Sequence, residues 1–412
     1  MKILHTSDWH LGQTFFAYDR LFEHTCFLNW LSDVITEHQA DALLISGDLY
    51  DSPNPSAASQ RLFYDFIGRI KKENPHLQVI ITSGNHDSGA RLEAPDPLLS
   101  SMQVHVRGTV DRTDDGFDYD SLIIPLYSAS DNDTPAGYCL SVPYLRQGDY
   151  PVCTDETVTN RYSWGVTRFY ADLFEKVQSI KTDKQFIVAM GHLQTIGAEL
   201  SEKDNSERTI IGGMDALSAS MFDGADYVAL GHIHKPQMVS KREFVRYAGS
   251  PLPMSFAEIN YKHGVQLIEF DEGKLVSNER IRFEAPVKLM SVPAVPETKE
   301  QVLACLEFLE ISESDPLRAP YLEVKVIIDR PEPALRFEIE NALEGKNVRL
   351  AKITPFTPGD KAKPEESEVH IEAEPLSPYE LADQEWIRLY GVAIPQDLRD
   401  LFTEAVHVIN KD

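Results

Sequence analysis

Apolar positions in the N-terminal part of the chain alternate between short continuous runs and stretches with helical spacing. The runs at 2–6, 42–46 and 77–82 predict strands, because short apolar runs between polar or Gly residues are typical of buried strands. Over 20–37 and 55–72, apolar residues recur three and four positions apart, which predicts two amphipathic helices. The resulting βαβαβ order predicts an α/β domain built from layers of helices and strands.

The strand pattern returns later in the chain. Apolar runs at 186–190 and 227–230 and a strand-rich stretch at 244–270 predict further strands of the same core. Between 111 and 170 the sequence is irregular and rich in Asp, Pro, Tyr and Ser. We expect this segment to supply hairpins and long loops over one end of the sheet, where loops often shape access to a site.

The pattern changes near residue 284 and predicts a second, smaller domain. Helix patterns at 296–310 and 334–343 alternate with strand patterns at 321–328 and 348–354, which is typical of a compact α+β module. The expected segments are a main domain over 1–280, a small α+β domain over 281–358, an acidic linker over 359–378 and a C-terminal segment over 379–412.

The C-terminal segment carries apolar residues in two short helical patterns, after a run of glutamates interrupted by prolines. Blocks of like charge rarely pack, so the glutamate run is interpreted as a solvated linker. Two short helices cannot bury all their apolar residues alone, which suggests that the pair docks on a partner. The alternative is that the helices fold back on the core of the chain, as terminal helices often do.

Composition and charge narrow the class of protein. The chain has 412 residues, 42% hydrophobic and 25% charged, which is typical of a folded protein of two or three domains. No apolar run is long enough to span a membrane and no signal-peptide pattern is present, so a cytoplasmic protein is the expectation. The four cysteines are scattered and are expected to be reduced thiols. A formal net charge of −26 would repel polyanions, so a phosphate ligand has to be held by a local site.

Five of the apolar runs lead directly into side chains that can bind a metal ion. The carboxyl ends of the strands in an open α/β sheet form one edge, so we expect these side chains to converge. Their nitrogen and oxygen donors, without thiolates, favour Mn²⁺, Fe²⁺, Zn²⁺ or Mg²⁺, and their number suggests two ions about 3.5 to 4 Å apart. Asp48 follows the middle strand of the βαβαβ unit and is the expected bridge. The candidate ligands are Asp8, His10, Asp48, Asn85, His192, His232 and His234.

The motifs around these residues are weak singly and specific as an ordered set. They are D-x-H at 8–10, G-D-x-x-D at 47–51, G-N-H-D at 84–87, G-H at 191–192 and G-H-x-H at 231–234. In this order they resemble the calcineurin-like metallophosphoesterase superfamily. More narrowly, the chain resembles the bacterial SbcD nucleases of that superfamily, through L-H-T-S-D-W-H-L-G at 4–12, G-N-H-D-S-G-A-R-L at 84–92, A-L-G-H-I-H at 229–234 and Y-A-G-S-P at 247–251.

The resemblance implies an α/β fold, a layered αββα metallophosphoesterase sandwich with a small α+β capping domain and a C-terminal helical pair. It implies that one ion is bound by Asp8, His10, Asp48 and His234, and the other by Asp48, Asn85, His192 and His232. His86 would be the catalytic histidine that assists the leaving oxygen, with the alternative that it only orients Asp48 or a water. The candidates for phosphate contact or for support of the ligands are Asp51, Asp87, Tyr247 and Ser250.

The resemblance also implies a function. The protein would be the nuclease subunit of an SbcCD-type complex and would use two divalent ions, most simply Mn²⁺. It would cleave duplex DNA as an exonuclease, and single strands or hairpins as an endonuclease, in DNA repair, recombination and replication. The chain lacks the P-loop motif G-x-x-x-x-G-K-[ST], so an SbcC-type ATPase partner would bind the ATP. The expected assembly is a homodimer within a heterotetramer.

Two other classes of function remain open at this point. A metallophosphoesterase could use the same site on a small-molecule or protein phosphoester, and a metal-binding scaffold could lack activity. The additional α+β module and C-terminal segment favour the nuclease, because a single-domain phosphatase has little need of either. An altered ligand would have favoured the scaffold, but every expected ligand is present. The acidic composition is the main observation against DNA binding, since Lys and Arg normally contact phosphates.

Overall fold

A computed structural model describes residues 1–114, 116–131, 133–155, 157–199, 216–330 and 332–357. The predicted linker over 359–378 and the C-terminal segment over 379–412 lie outside these described residues.

The longer strands are β1 (Lys2–Thr6), β2 (Ala42–Ser46), β3 (Gln78–Thr82), β4 (Val104–Arg107), β5 (Ile123–Leu126), β6 (Gly137–Ser141), β7 (Phe186–His192), β8 (Tyr227–Gly231), β9 (Gln237–Val239), β10 (Arg242–Tyr247), β11 (Gly264–Asp271), β12 (Lys274–Arg282), β13 (Leu289–Thr298), β14 (Tyr321–Ile327) and β15 (Arg349–Phe356). The longer helices are α1 (Leu21–His38), α2 (Ala57–Glu73), α3 (Arg161–Ile180), α4 (Lys299–Glu307) and α5 (Leu335–Ala342). Short helices at Gly89–Glu93 and Asp96–Leu99, and two-stranded ribbons at Thr14–Phe15 with Tyr18–Asp19 and at Arg112–Thr113 with Gly116–Phe117, lie in the connections.

The predicted βαβαβ unit is confirmed. Strands β1 to β4 pair in parallel, and β11 and β12 extend the sheet with antiparallel pairing, in the order β12-β11-β1-β2-β3-β4. Strand β2 therefore lies between β1 and β3, as the sequence predicts. All five residues of β2 are buried, because both faces of this sheet are covered, and strands of that kind are continuous apolar runs.

The later parallel strands form a second sheet instead of extending the first. Its order is β9-β10-β8-β7-β6-β5, with β6, β7, β8 and β10 parallel. The two sheets face each other, since Leu44 and Ile80 of the first and Val188 and Met190 of the second belong to one buried cluster. Helices α1 and α2 pack on the outer face of the first sheet, and α3 packs on the outer face of the second. The expected αββα layering is confirmed.

The segment 111–170, predicted to supply hairpins and long loops, contains antiparallel hairpins and also regular elements of the core. This segment contains β5 and β6, and α3 begins inside it at Arg161, where Asn160 caps the helix by accepting a hydrogen bond from Ser163 N at 2.8 Å. Four- and five-residue strands carry too few positions for a clear alternation, so their burial depends on the sheet they join. The helical signal of α3 starts with Val166, Phe169 and Tyr170, all fully buried, which the surrounding polar residues obscure.

The small α+β domain has a parallel three-stranded sheet in the order β13-β14-β15 with α4 and α5 beside it. The sequence predicted a helix from 296, but β13 continues to Thr298 and α4 begins only at Lys299, behind a capping box of Thr298 and Gln301. Strand β13 was missed because prolines interrupt its sequence, and proline is tolerated in a strand mainly at a sheet edge, which is where β13 lies.

The small domain contacts the start of α1. The hydroxyl of Tyr321 donates a hydrogen bond to Glu23 Oε1 at 2.8 Å, and Glu23 pairs with the buried Arg20 at 3.0 Å. Tyr18 adds a hydrogen bond from its hydroxyl to the main-chain oxygen of Leu350 at 3.2 Å. These polar contacts hold the three-stranded sheet against the start of α1. Within the described part of the chain, every helix is too short or too polar to cross a bilayer.

Candidate metal centre

All seven predicted ligands lie at the carboxyl ends of strands, but these strands belong to two sheets. Asp8, Asp48 and Asn85 follow β1, β2 and β3 of the first sheet, whereas His192 ends β7 and His232 follows β8 of the second. The expectation of one sheet edge is therefore corrected: the site forms where the carboxyl ends of two facing sheets meet. Three groups of side chains have ligand atoms within 4.8 Å of one another, namely Asp8–His10–His234, His10–Asp48–His86 and Asp8–Asp48–His192.

Asp48 lies in the middle of the site. Its Oδ2 is 3.2 Å from His192 Nε2 and 3.7 Å from His10 Nε2. Its Oδ1 accepts a hydrogen bond from the main-chain N–H of His86 at 2.8 Å. One carboxylate thus lies between histidines of both halves of the predicted ligand set, which is the position that a bridging ligand requires.

Asn85, His192 and His232 form the second half of the set. The side-chain oxygen of Asn85 is 3.1 Å from His192 Nε2 and 3.0 Å from His232 Nδ1. His192 Nδ1 donates to the main-chain oxygen of Ser46 at 2.9 Å. Because this bond occupies Nδ1, it orients the ring so that Nε2 faces Asp48 and Asn85, as expected for a histidine that binds a metal through one nitrogen.

His10 and His234 belong to the first half. Both nitrogens of His10 are buried and make no hydrogen bond with any described residue, although Asp51 Oδ1 lies 3.3 Å from Nδ1. Burying a polar atom without a partner is costly, so the ring of His10 is arranged for a ligand that the protein chain does not supply. Carboxylate oxygens of Asp8 and Asp48 lie within 4.8 Å of a nitrogen of His10. A divalent cation fits this set of oxygen and nitrogen donors.

The backbone at the site is held in an unusual conformation. Four candidate ligands have a positive φ angle: 54° at Asp8, 46° at His10, 48° at Asp48 and 96° at His232. Non-glycine residues rarely adopt positive φ, and such strain concentrates at functional sites. A Cβ at Gly84 would overlap the Asp48 carboxylate, and one at Gly47 would overlap the His192 ring. These two glycines therefore make room for the candidate ligands.

The charges of the site are coupled. Burial alone would raise the pKa of Asp48, but the charge and hydrogen bond of His192 hold that pKa well below its usual range. Burial opposes the charge on His192, but the Asp48 carboxylate raises the pKa of His192 to about 9. Burial and the neighbouring His192 lower the pKa of His232 to about 3. The site therefore keeps Asp48 ionised and His232 neutral, and these are the forms that bind a metal.

The supporting residues predicted from the sequence are found at distinct places. Asp87 accepts hydrogen bonds from the main-chain N–H groups of Leu49, Tyr50 and Gly84 at 2.9–3.1 Å, so it ties the loop after β3 to the loop after β2. Burial and the charge of Asp48 raise the pKa of Asp87 to about 6. The side chain of Asp51 is partly exposed beside His10.

Tyr247 and Ser250 are both fully buried, next to the segment that follows β10. The hydroxyl of Tyr247 donates to the main-chain oxygen of Leu193 at 2.8 Å and accepts from Thr195 N at 3.0 Å, so it links two loops of the protein. The hydroxyl of Ser250 donates to Glu258 Oε2 at 3.5 Å.

Glu258 is a site residue that the sequence analysis missed. Its Oε1 is 3.3 Å from His234 Nδ1, and its Oε2 accepts a hydrogen bond from Met254 N at 2.9 Å. Carboxylates that hold the second nitrogen of a ligand histidine are common in metal sites. Glu258 lies in an irregular segment without periodicity or motif, so only the tertiary structure connects it with His234.

Comparison with known proteins gives matches over most of the chain. Residues 1–236 match the family model described as calcineurin-like phosphoesterase, and residues 286–387 match the one described as type 5 capsule protein repressor C-terminal domain. A Rhodobacter capsulatus protein named as the SbcD component of the nuclease SbcCD is 35% identical over 369 residues, covering 88% of this chain and 89% of that protein. A protein of the same name from Escherichia coli K12 is 34% identical, and the match covers 68% of this chain and 68% of that protein. One from Bacillus subtilis is 31% identical, and the match covers 66% of this chain and 67% of that protein.

Proposed function

Since the chain belongs to the calcineurin-like phosphoesterase family, and within it to the SbcD nuclease subunits, we propose that it is a metal-dependent DNA nuclease and the nuclease subunit of an SbcCD-type complex. The observation that supports this most directly is the cluster around Asp48, where His192, His10 and His86 approach one carboxylate within 2.8–3.7 Å. We assign its role to DNA repair, recombination and replication in the cytoplasm.

The proposed site holds two divalent cations. One is bound by Asp8, His10, Asp48 and His234, and the other by Asp48, Asn85, His192 and His232. Oxygen and imidazole donors suit Mn²⁺, which is the ion we propose. When bound, two such cations would activate water as the nucleophile and neutralise charge at the scissile phosphate. The chain supplies the positions of the ligands, with Asp48 shared between the two sets.

His86 is proposed as the residue that exchanges a proton with the leaving oxygen. Its main-chain N–H binds Asp48, and its ring Nδ1 is 3.0 Å from the main-chain oxygen of Asp51, to which it donates. That bond fixes the ring at the edge of the ligand cluster and leaves Nε2 for proton transfer. Asp87 supports the same loop through its three main-chain hydrogen bonds, so its proposed role is positioning.

The proposed partners are DNA and an SbcC-type ATPase, with two copies of this chain in a heterotetramer. We propose that the segment over 379–412, beyond the linker over 359–378, binds the ATPase, and that 281–358 acts as a capping domain. Deleting 379–412 should abolish co-purification with the ATPase while a small phosphodiester is still hydrolysed. If the truncated protein binds the ATPase at full strength, the docking assignment is wrong.

The decisive experiment compares substrates for the purified protein with Mn²⁺. Labelled duplex DNA, single-stranded DNA and bis(p-nitrophenyl) phosphate are incubated with and without the ATPase and ATP. Cleavage of both DNA forms, with ATP-stimulated degradation of duplex only when the ATPase is present, is the expected result. Hydrolysis of the small diester without DNA cleavage would instead support the alternative, a phosphoesterase for small molecules or phosphoproteins.

A further inference from the structure

Arg146 lies beside the loop that carries Asn85 and His86. Its Nη2 donates a hydrogen bond to the main-chain oxygen of Asp87 at 3.1 Å. Two residues earlier in the same segment, the main-chain N–H of Tyr144 donates to the main-chain oxygen of Ser83 at 2.9 Å. The segment after β6 is thus attached to the loop after β3 on both sides of the G-N-H motif at 84–86. These contacts place the guanidinium group of Arg146 at the edge of the site.

The guanidinium group of Arg146 is available for a ligand. The residue is exposed; the Asp149 carboxylate binds its main-chain N–H at 2.8 Å, but among the described residues no carboxylate forms an ion pair with its guanidinium group. Its one side-chain hydrogen bond within the described part of the chain uses one of five N–H donors. The ring of Tyr144 lies 5.4 Å from the guanidinium carbon and orients it. Lys235, which directly follows the ligand His234, is different because it forms an ion pair with Glu199.

The position of Arg146 separates it from the atoms that bind the metal. Among the described residues, it makes no hydrogen bond or ion pair with any of the seven candidate ligands, and its contact is with the main chain of Asp87. The ring of Tyr144, which packs against the guanidinium of Arg146, has its centre 6.2 Å from that of His192. A phosphate held by Arg146 would therefore lie next to the reacting phosphate and not at it.

We propose that Arg146 binds the phosphate adjacent to the scissile one on the cleaved strand, and that Tyr144 orients it for this contact. The inference rests on the proposed function, because a flanking phosphate exists only in a polynucleotide. A planar guanidinium can make two parallel hydrogen bonds to one phosphate. In a chain with a net charge of −26, such a local cation supplies the electrostatic contact that the overall composition does not.

The test compares Arg146→Gln with Lys184→Gln. Lys184 precedes β7 at the end of the strand opposite His192 and is highly exposed, so its substitution removes the same charge away from the site. For Arg146→Gln, kcat/KM on a single-stranded oligonucleotide should fall roughly 10-fold, mainly through KM. The loss on bis(p-nitrophenyl) phosphate, which has no flanking phosphate, should be at least fivefold smaller. Lys184→Gln should match the wild type on both substrates.

A binding measurement separates phosphate contact from a structural role. In a His86→Ala background with Mn²⁺, oligonucleotide affinity is measured by fluorescence anisotropy across salt concentrations, and bound manganese is measured by mass spectrometry. Arg146→Gln should reduce the slope of log affinity against log salt by about 0.7, the value for one phosphate contact on a single strand, with manganese content unchanged.

The outcomes distinguish this inference from the function on which it rests. Equal losses on both substrates, an unchanged salt slope or reduced manganese would show that Arg146 acts on the site structure, and would overturn the inference while leaving the nuclease intact. A wild type that hydrolyses the small diester and neither binds nor cleaves any oligonucleotide would overturn the proposed function as well.

Discussion

Asp48 and His192 come from different sheets, but Oδ2 of Asp48 is only 3.2 Å from Nε2 of His192. The same histidine donates through Nδ1 to the main-chain oxygen of Ser46, in the strand that leads to Asp48. Both nitrogens of His192 therefore contact the segment 46–48 of the facing sheet. Because these contacts cross the interface between the sheets, the geometry of the site depends on the packing of the apolar cluster that includes Leu44 and Met190.

Asp48→Asn should remove metal and activity together. A neutral amide bridges two cations poorly. We expect a loss of more than half of the bound manganese in purified protein, measured by mass spectrometry, with hydrolysis of bis(p-nitrophenyl) phosphate near background. Asp51→Asn is the control, since the Asp51 carboxylate lies at the rim, 3.3 Å from His10 Nδ1, and is not the proposed bridge. Two ions and normal turnover in Asp48→Asn would exclude Asp48 as the bridge.

The sequence was sufficient to predict where the candidate ligands lie in the fold, because each of them ends an apolar strand or lies in the loop that follows one. The short runs that become β1, β2, β3, β7 and β8 are fully or almost fully buried, so their hydrophobic pattern is strong. That pattern did not show that the strands belong to two sheets. A strand with both faces buried is a continuous apolar run, whether helices or a second sheet pack against it.

Glu258 and Arg146 could not be predicted for a related reason. Each is placed at the site by a contact with a residue far away in the sequence, His234 for Glu258 and Asp87 for Arg146. Neither lies in a periodic segment or a motif of metal-binding residues. Local propensity carries no information on such pairs, so they are found only after the loops at the carboxyl ends of the strands have been placed.

His86→Ala should keep both metals and lose most phosphodiester cleavage. A positioned general acid contributes about 10²- to 10⁴-fold, and the main-chain N–H of His86 that binds Asp48 is unaffected by the substitution. The measurement is manganese stoichiometry beside kcat for the small diester. His86 also belongs to a group with His10 and Asp48 whose ligand atoms lie within 4.8 Å. Halved metal content in the variant would make His86 a ligand and remove it as the acid.

Two buried histidines should make the protein sensitive to mild acid. Burial, with the charge of Arg280, lowers the pKa of His5 to about 3, and burial, with the charge of Arg20, lowers that of His24 to about 3. The unfolded chain therefore binds more protons below pH 6.5, so the stability that each neutral histidine provides is present above pH 6.5 and is lost as pH falls towards 3.

The substitution His5→Gln tests this dependence without relying on the absolute stability. Between pH 4.5 and 6, each histidine steepens the fall in the free energy of unfolding by up to about 1.4 kcal/mol per pH unit. Urea titrations of wild type and His5→Gln should show a shallower dependence on pH for the variant, whatever the packing cost at pH 8. Parallel curves for the two proteins would show that the pKa of His5 is the same in the folded and unfolded states.

Glu258→Gln should weaken the binding of one ion more than that of the other. Burial would raise the pKa of Glu258, but the hydrogen bond and charge of His234 hold it below its usual range, so the carboxylate is ionised beside the ligand. Replacing it with an amide removes the charge that orients the ring and makes it a stronger donor to a metal. Such changes typically cost 10- to 100-fold in metal affinity. Because His234 is assigned to only one of the two ions, manganese titration calorimetry should show one weakened site and one unchanged site.

Glu323→Gln provides the matched control for this substitution. Glu323 is also a buried glutamate, but it accepts hydrogen bonds from Ser291 at 2.8 Å and Thr354 at 2.7 Å in the small domain. Loss of a buried carboxylate there should lower stability and leave both manganese affinities as in the wild type. If Glu258→Gln and Glu323→Gln change the two affinities to the same extent, the effect of Glu258 is general stability and its contact with His234 has no part in metal binding.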